Sequence, residues 1–484
     1  MQRSTKIVAT LGPASSDEAV LRRLVQAGIN IVRLNFSHGT ADDHRARVEL
    51  LRSITQELGT TVGIMADLQG PKIRVGKFEH SKVDLAPGER FILDISCKLG
   101  NQERVGLDYP ELIDDVEPGA VLLLDDGRIV LDVKEVLGQE IVTTVRVGGA
   151  LSNNKGINRQ GGGLTAPALT GKDRQDIRVA AELGVDFVAV SFPKSGDDMR
   201  QARKLLTRAG SDALLIAKIE RAEAIEALPD ILDASDGVMV ARGDLAVEVG
   251  DAAVPALQKK IIRLAREHNR LTITATQMME SMISSPVPTR AEVSDVANAV
   301  LDGTDAVMLS AETASGRYPV DTVESMARVC LEAEKSAEVN LERDFLDRVF
   351  TRIDQSIAMA AIWTAHHLNV KAIAALTQSG STALWMSRLN SGVPIYALTP
   401  EVSSRYKMSL YRDVFPLLMK QVHVDRDRLL WEAEQLLIER GVVEAGDLIV
   451  LTIGEPIGVA GGTNTLKIVR VGEHPAPKDL LPES

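Results

Sequence analysis

The chain has 484 residues, a length that predicts about three domains. With 45% hydrophobic and 25% charged residues, its composition is that of a soluble globular protein. Its formal net charge of −12 argues against nucleic-acid binding and against attachment to a membrane surface, although local cationic clusters can still hold phosphates. No apolar run has signal-peptide or membrane-spanning character, and Cys97 and Cys330 are too few for a disulfide framework or a zinc site, so we expect a cytoplasmic protein.

From residue 5 onwards, short apolar segments alternate with amphipathic ones, a pattern typical of repeated β-strand and α-helix units. The predicted strands lie at 6–12, 30–38, 62–69, 186–192, 214–219, 236–241, 271–277 and 305–312. The predicted helices between them include 17–27, 40–58, 172–183, 254–268 and 292–301. Segments 1–71 and 168–336 thus contain eight units, and together they approach the ~250 residues of a (β/α)8 TIM barrel. An open doubly wound sheet is the alternative, but it normally begins with a Gly-rich turn, which Gly12-Pro13-Ala14 is not.

Two other regions depart from this alternation. Residues 72–167, which follow the hinge-like pair Gly70-Pro71, are predicted to form a small all-β lid domain inserted into the barrel. Its predicted strands lie at 91–95, 121–125, 129–133 and 141–147, with a hairpin turn at Asp126-Gly127. Residues 337–484 are predicted to form a C-terminal α/β domain. Its predicted elements are a helix at 353–368 and strands at 371–376, 394–398, 414–418, 447–452 and 465–471.

Ionisable residues end two neighbouring strands of the predicted barrel. Lys218 and Glu220 close the fifth strand and, being two residues apart, point to the same side. Asp244 follows the sixth strand. Carboxylates beside a cation suit a divalent metal in phosphoryl chemistry. A pair of solvated salt bridges at the loop edge is the alternative interpretation.

Polar residues follow strands 2, 3, 5, 6, 7 and 8 and would meet at the C-terminal mouth of a barrel, where such enzymes have their active sites. Taken alone, several of these segments are ambiguous. Residues 35–39 suit either a helix-capping turn or a site, and the methionines of 276–282 are more typical of core. His268 is expected to be a helix-end residue rather than a ligand.

Six motifs, in order along almost the whole chain, resemble those of the pyruvate kinase family. They are TKIVATLGPAS at 5–15, RLNFSHG at 33–39, KIE at 218–220, MVARGD at 239–244, ATQMMESM at 275–282 and MLSAET at 308–313. The order of the domains also agrees with that family. The resemblance implies transfer of the phosphoryl group of phosphoenolpyruvate to ADP, giving pyruvate and ATP. The chain has no P-loop motif, so nucleotide binding would not rest on one.

The resemblance also implies roles for individual residues. Glu220 and Asp244 would hold Mg²⁺, for which Mn²⁺ can substitute. Lys218 would stabilise charge on the transferred phosphoryl group, and Arg33 would grip the same group. The substrate carboxylate would be seated by the backbone of Gly243 and Asp244 and by the hydroxyl of Thr276, which could also lie on the proton route to the enolate. The nucleotide-binding residues would be Asn35, Ser37, His38, Arg74 and Lys155.

Many family members require K⁺, held by residues that match Asn35, Ser37, Asp67 and the carbonyl of Leu68. This chain has Leu68-Gln69 and, where those members carry glutamate, Lys72, so it resembles the K⁺-independent branch. A tethered ammonium would supply the charge that the free ion supplies elsewhere, and at ~4 Å with an effective dielectric near 20 it is worth roughly 4 kcal/mol. The alternative is a solvated Lys72 with K⁺ still bound.

A hydroxyl-rich turn in the C-terminal domain matches the family's allosteric phosphate loop. It consists of Thr377, Gln378, Ser379, Gly380, Ser381 and Thr382. Hydroxyls and exposed N–H groups there suit a phosphorylated effector, either a sugar phosphate or AMP; plain helix capping is the alternative. The family resemblance also implies a homotetramer.

Two other functions are alternatives to the kinase. A Mg²⁺-dependent phosphoenolpyruvate-type lyase would share the barrel and the enolate chemistry, but the lid and Lys155 argue against it. A sensor that binds phosphoenolpyruvate without turnover is disfavoured, because Lys218, Glu220, Asp244 and Thr276 are all present.

Overall fold

The computed structural model describes residues 2–336, 349–389, 391–419, 425–458 and 461–473. The barrel begins with three strands, β1 (Lys6–Thr10), β2 (Ile31–Asn35) and β3 (Gly63–Asp67). Two helices connect them, α1 (Glu18–Gln26) and α2 (Ala41–Glu57). Each helix starts where a side chain takes up free backbone N–H groups: Asp17 caps α1, and Thr40 forms a capping box with Asp43 at the start of α2.

The lid follows as two β-sheets. Its elements are β4 (Lys82–Leu85), β5 (Arg90–Asp94), β6 (Arg104–Val105), α3 (Leu112–Asp115), β7 (Val121–Leu124), β8 (Ile129–Leu137), β9 (Glu140–Val147), β10 (Gly149–Ser152) and β11 (Ile157–Arg159). β4 pairs with β10, and the other six strands form a sheet in the order β11-β7-β8-β9-β5-β6. The hairpin turn predicted at Asp126-Gly127 is confirmed, because β7 and β8 pair antiparallel across it. The short strands β4, β6, β10 and β11 were not predicted.

The barrel resumes with β12 (Phe187–Val190), β13 (Leu214–Ile219), β14 (Gly237–Ala241), β15 (Leu271–Ala275) and β16 (Ala306–Leu309). Its helices are α4 (Gly171–Glu182), α5 (Gly196–Arg208), α6 (Ala222–Glu226), α7 (Leu228–Ala234), α8 (Arg242–Val249), α9 (Val254–Glu267), α10 (Arg290–Leu301), α11 (Ala311–Ala314) and α12 (Pro319–Ser336). The eight strands close in the order β1-β16-β15-β14-β13-β12-β3-β2, and all of their pairings are parallel. The predicted (β/α)8 barrel with an all-β insertion is therefore confirmed.

The C-terminal part is an α/β unit, as predicted. Its strands are β17 (Ala372–Leu376), β18 (Ile395–Thr399), β19 (Val414–Leu418), β20 (Leu448–Gly454) and β21 (Thr463–Arg470). Its helices are α13 (Ile353–His367), α14 (Ser381–Ser387), α15 (Val402–Met408) and α16 (Arg426–Glu439). The sheet order is β19-β18-β17-β20-β21, with β21 antiparallel to β20. Among the described helices, none combines the length and apolar character required to cross a bilayer.

The C-terminal domain covers one end of the barrel. Inward-facing barrel residues such as Val8 and Phe187 share one buried apolar cluster with Ile362 and Met408 of that domain. Lys6, at the start of β1, donates a hydrogen bond from Nζ to the carbonyl of Val414 at 2.7 Å. Since β1 starts at the covered end, the carboxyl ends of the parallel strands face the opposite end. The lid joins the barrel at that open end, directly after β3.

Asp186 gives the barrel a pH-dependent stability that can be measured. Its carboxylate accepts hydrogen bonds from the backbone of Ile64 at 2.8 Å and from Arg52 at 3.3 Å, and burial raises its pKa to about 6. The folded state therefore binds this proton more tightly than the unfolded state does. As pH falls from about 6 to 4, we expect the wild type to gain roughly 2 kcal/mol in unfolding free energy relative to Asp186→Asn. Urea denaturation of both proteins across this range measures the difference; a constant difference would contradict the prediction.

Candidate active site

Four of the ionisable residues predicted at the strand ends meet at the open mouth of the barrel. Lys218 lies in β13 and Glu220 directly follows it, while Arg33 lies in β2 and Asp67 ends β3. The ammonium Nζ of Lys218 is 2.9 Å from Oε1 of Glu220 and 3.4 Å from Oδ1 of Asp67. Burial alone would lower the pKa of Lys218, but the two carboxylates more than offset this, so its pKa is raised and the ammonium stays charged.

Asp67 is enclosed by two cations. It is 1% exposed, and its Oδ2 accepts a hydrogen bond from Nε of Arg33 at 2.6 Å. Burial would raise the pKa of Asp67, yet Lys218 and Arg33 outweigh it and the net shift is downward. Nη1 of Arg33 also donates to the hydroxyl of Thr10 at 3.0 Å. Asp67 therefore holds the two cations side by side, an arrangement suited to a multiply charged anion.

The two oxygens of Glu220 face different partners. Oε2 accepts the backbone N–H of Phe192 at 2.8 Å, whereas the buried Oε1 lies 2.9 Å from the Lys218 ammonium as an ion pair. Burial raises the pKa of Glu220 to about 7. A buried carboxylate with one oxygen left to a cation is a suitable metal ligand.

Asp244 supplies the second carboxylate of this candidate metal site. It lies in the first turn of α8, which follows β14 without a gap, and its charge acts on both Lys218 and Glu220. No group of three or more His, Cys, Asp or Glu side chains that could hold a metal occurs in the part of the chain described. Two carboxylates with the other positions left to water and substrate is the way proteins commonly hold Mg²⁺, so the residues fit that ion.

Thr276 is held against Gly243 in a strained conformation. Its backbone φ is 68°, in the left-handed region that a β-branched residue rarely adopts. The Thr276 hydroxyl accepts the N–H of Gly243 at 2.8 Å and donates to the carbonyl of Ala275 at 2.6 Å. Arg242 bonds the Thr276 carbonyl at 2.8 Å and Asp295 at 2.7 Å, which fixes the turn. The sequence pattern gave neither Arg242 nor Asp295 a role.

A cleft of about 660 Å³ separates this face of the barrel from the lid. Its lining includes Gly243, Asp244 and Gln277 from the barrel, Lys72 from the hinge and Asp126 from the lid hairpin. Of the predicted substrate residues, Gly243 and Asp244 thus open into the same space as the hinge cation.

Comparison with known proteins identifies the family. Residues 2–323 match the family described as "Pyruvate kinase, barrel domain", and residues 355–469 match "Pyruvate kinase, alpha/beta domain". The chain belongs to the pyruvate kinase family. It is 52% identical over 475 residues to pyruvate kinase II of Salmonella typhimurium, covering 97% of this chain and 99% of that protein. It is 53% identical over 461 residues to the pyruvate kinase of Haemophilus influenzae, covering 93% and 96% respectively.

A solved structure agrees with this assignment. The fold matches a pyruvate kinase from Cryptosporidium parvum with a TM-score of 0.91 and 33% sequence identity, covering 97% of this chain and 96% of that one. Members of the pyruvate kinase family are phosphotransferases, and the chain is therefore an enzyme of that class.

The nucleotide-binding residues expected from the pyruvate kinase resemblance are spread over the lid and the rim of the barrel. Lys155 lies on the lid, where its ammonium pairs with Asp125 at 2.7 Å. Arg74 is half-buried near the hinge, and its backbone N–H donates to Asp108 at 2.6 Å. On the barrel rim, Asn35 accepts the N–H of Ser37 at 3.1 Å, and His38 is exposed. These positions stay a prediction as a nucleotide site.

The residues of the expected monovalent-cation site have other partners. Asp67 is paired with Arg33 and Lys218, and the carbonyl of Leu68 accepts the hydroxyl of Ser191 at 2.7 Å. Lys72 is exposed and lines the cleft near Asp244; within the described residues its ammonium makes no ion pair. The Lys72 side chain is thus available to a ligand in the cleft.

The predicted effector loop forms the turn between β17 and α14. The N–H of Gly380, whose φ is 83°, donates to the hydroxyl of Thr377 at 2.9 Å. Ser379 is exposed and Ser381 half-buried, while the buried Thr382 hydroxyl is engaged with Thr463 at 2.6 Å. Thr377 and Gln378 line a cavity together with Gly454, Gly458, Gly461 and Thr463. The loop opens into a cavity, but Thr382 is less available to a ligand than the other hydroxyls.

The fourth barrel strand also contributes to the site, although the sequence pattern pointed to no residue there. Ser191, just after β12, accepts a hydrogen bond from Lys218 at 2.7 Å. Its position could have indicated a role in the site, since Ser191 follows a buried apolar strand and lies at the same mouth of the barrel as the other strand-end residues.

Proposed function

We propose that the protein is a pyruvate kinase that transfers the phosphoryl group of phosphoenolpyruvate to ADP in a Mg²⁺-dependent reaction. The observation that carries the proposal is the pair of cations, Lys218 and Arg33, held by the buried Asp67 beside the buried carboxylate of Glu220. Together with Asp244, the site contains three carboxylates and two cationic side chains. The excess negative charge favours a divalent cation before an anionic substrate binds.

Each residue then has a defined task. Arg33 and Lys218 bind the phosphoryl oxygens and stabilise their charge during transfer to the terminal phosphate of ADP. The backbone of Gly243 and Asp244 holds the substrate carboxylate, together with the Thr276 hydroxyl. Glu220 and Asp244 would hold Mg²⁺, which would supply Lewis-acid neutralisation of charge on the phosphate and the enolate. The enolate left behind takes up a proton, and the Thr276 hydroxyl lies on that route.

The lid completes the nucleotide site in this proposal. Lys155 and Arg74 contact the phosphates of ADP, and closure of the lid keeps water from the transferring phosphoryl group. The position of Lys155 on the lid supports this role. Asn35, Ser37 and His38 contribute to the same nucleotide site from the barrel rim.

Pyruvate formation from phosphoenolpyruvate and ADP with Mg²⁺ tests the function directly. We expect turnover that requires both ADP and the metal. Pyruvate released without ADP would indicate a lyase, and substrate binding without any turnover would indicate a sensor.

We propose further that the enzyme does not require K⁺, because the Lys72 ammonium supplies the monovalent charge. Turnover is expected to be equal in sodium-only and potassium-containing buffers. Lys72→Glu should lower turnover in sodium-only buffer at least tenfold, since one unit charge at ~4 Å is worth roughly 4 kcal/mol. Addition of K⁺ should restore the turnover of this variant. Lys77→Glu, the same charge change at an exposed lid position, is the control and should show neither effect. A wild-type enzyme active only with K⁺ would contradict the Lys72 hypothesis.

We propose that a phosphorylated effector, a sugar phosphate or AMP, binds the Thr377–Thr382 loop of a cytoplasmic homotetramer. The exposed Ser379 hydroxyl and the adjoining cavity support this site. Titration with sugar phosphates and with AMP should shift the saturation curve for phosphoenolpyruvate, and Ser379→Ala should weaken the shift. Unchanged curves with every compound would exclude the site.

A further inference from the structure

Ser191 holds the catalytic ammonium by a hydrogen bond of fixed direction. Its Oγ accepts a hydrogen bond from Nζ of Lys218 and donates one to the carbonyl of Leu68, both at 2.7 Å. Because a hydroxyl has one proton, donation to Leu68 leaves only lone pairs for Lys218. Ser191 is 1% exposed, so bulk water does not compete for either bond. The hydroxyl is therefore fixed as an acceptor for Lys218.

The other neighbours of the Lys218 ammonium are two carboxylates, which form ion pairs with it. Glu220 Oε1 is 2.9 Å away and Asp67 Oδ1 is 3.4 Å away. Ser191 is the neutral partner among these three, and its fixed lone pair holds Nζ at a position that is not set by either carboxylate alone. A lysine on a flexible four-carbon stem would otherwise shift onto one carboxylate, away from an incoming anion.

We propose that Ser191 is a positioning residue that keeps the Lys218 ammonium between Asp67 and Glu220, where it meets the phosphoryl group. This inference rests on the proposed function, which assigns that contact to Lys218. It gives the fourth barrel strand a role in the reaction and adds a residue to the site that neither touches the substrate nor binds the metal.

The Ser191-Phe192 turn holds both members of the Lys218–Glu220 pair. Its second residue donates its N–H to Oε2 of Glu220 at 2.8 Å and adopts a φ of 55°, in the left-handed region. A Cβ added to Gly70 would lie 2.8 Å from Cβ of Ser191 and 3.0 Å from the Phe192 ring, so the lid hinge packs directly on this turn. The turn is held from both sides, which is what a positioning group requires.

Ser191→Ala tests the proposal. Pyruvate formation should fall roughly 10- to 100-fold in kcat, with a smaller change in the KM for phosphoenolpyruvate, because a displacement of about 1 Å costs up to about 100-fold. In a Lys218→Met background, the same change should alter kcat by less than twofold, since its effect acts through the ammonium. A purely structural role would lower kcat by the same factor in both backgrounds.

Ser235→Ala is the matched control, because it removes another buried serine hydroxyl, 2% exposed, which precedes β14 at the end of the barrel opposite the site, and it should leave kcat within twofold. If circular dichroism shows that Ser191→Ala is unfolded, the same measurements are made on Ser191→Gly, which also removes the hydroxyl. A kcat within twofold of wild type in either variant, or equal losses in both backgrounds, would overturn the proposal. A wild type without kinase activity would instead overturn the proposed function.

Discussion

Lys218→Met is expected to lower kcat for pyruvate formation by roughly 1,000-fold or more. A positively charged group placed against a transferring phosphoryl group contributes about 10³- to 10⁵-fold in rate. The change also leaves the carboxylates of Asp67 and Glu220 buried, at 1% exposure each, without the ammonium that lies 3.4 Å and 2.9 Å from them. Steady-state assays with phosphoenolpyruvate, ADP and Mg²⁺ measure the loss.

The control must separate lost chemistry from lost structure. Lys259→Met removes a lysine from α9 whose side chain is 62% exposed and pairs with Asp302, so kcat should stay within twofold. Circular dichroism should show Lys218→Met folded like wild type. A folded Lys218→Met enzyme with a kcat within tenfold of wild type would show that another group stabilises the phosphoryl charge.

The residues that the structure brings to the barrel mouth lie at or just after the ends of buried strands. β13 is apolar until Lys218, and β14 is apolar to Ala241, just before the turn that carries Asp244, so local patterning placed these side chains at one mouth once the barrel was recognised. The same local signal gave the hairpin turn at Asp126-Gly127 and the strands of the C-terminal sheet. The lid strands β4, β6, β10 and β11 escaped prediction because they are short and lack the continuous apolar run that marks the equally short β7.

The partners of the site residues could not be predicted, because they come from distant parts of the chain. Asp67 was expected at a monovalent-cation site or at its replacement by Lys72, and its pairing with Arg33 and Lys218 was not foreseen. Ser191 looks like any serine at a strand end until Lys218 is placed 2.7 Å from its hydroxyl. Burial and charge pairing across strands decide these contacts, and neither leaves a periodic signal in the sequence.

The junction between the barrel and the C-terminal domain was equally hidden. Arg388, which follows α14, is 2% exposed and donates to Asp305 at 2.9 Å and to the carbonyl of Arg270 at 2.8 Å. Asp305 precedes β16 and also accepts the N–H of Thr272 at 2.9 Å and that of Arg412 at 3.1 Å. An arginine beside a serine at the end of a helix gives no hint of a buried charge. A fully buried ion pair nevertheless connects the two domains.

Arg388→Met is expected to lower the free energy of unfolding by about 3–5 kcal/mol, because removing one partner leaves Asp305 as an uncompensated buried charge. The three tryptophans lie at 363, 385 and 431, so their fluorescence during urea denaturation reports on the C-terminal domain. Arg200→Met is the control: its pairs with Asp197 and Asp230 are about half exposed or more, and its loss should cost less than about 1 kcal/mol.

Adding Asp305→Asn to Arg388→Met should recover part of the lost stability. The charge disappears, while the amide oxygen of the substituted side chain can still accept the N–H of Thr272, which donates to the Asp305 carboxylate at 2.9 Å in the wild type. Recovery would attribute the cost to buried charge rather than to lost packing at the domain junction. Equal, small losses for Arg388→Met and Arg200→Met would show that solvent reaches the pair and that the Arg388–Asp305 contact does not stabilise the domain junction.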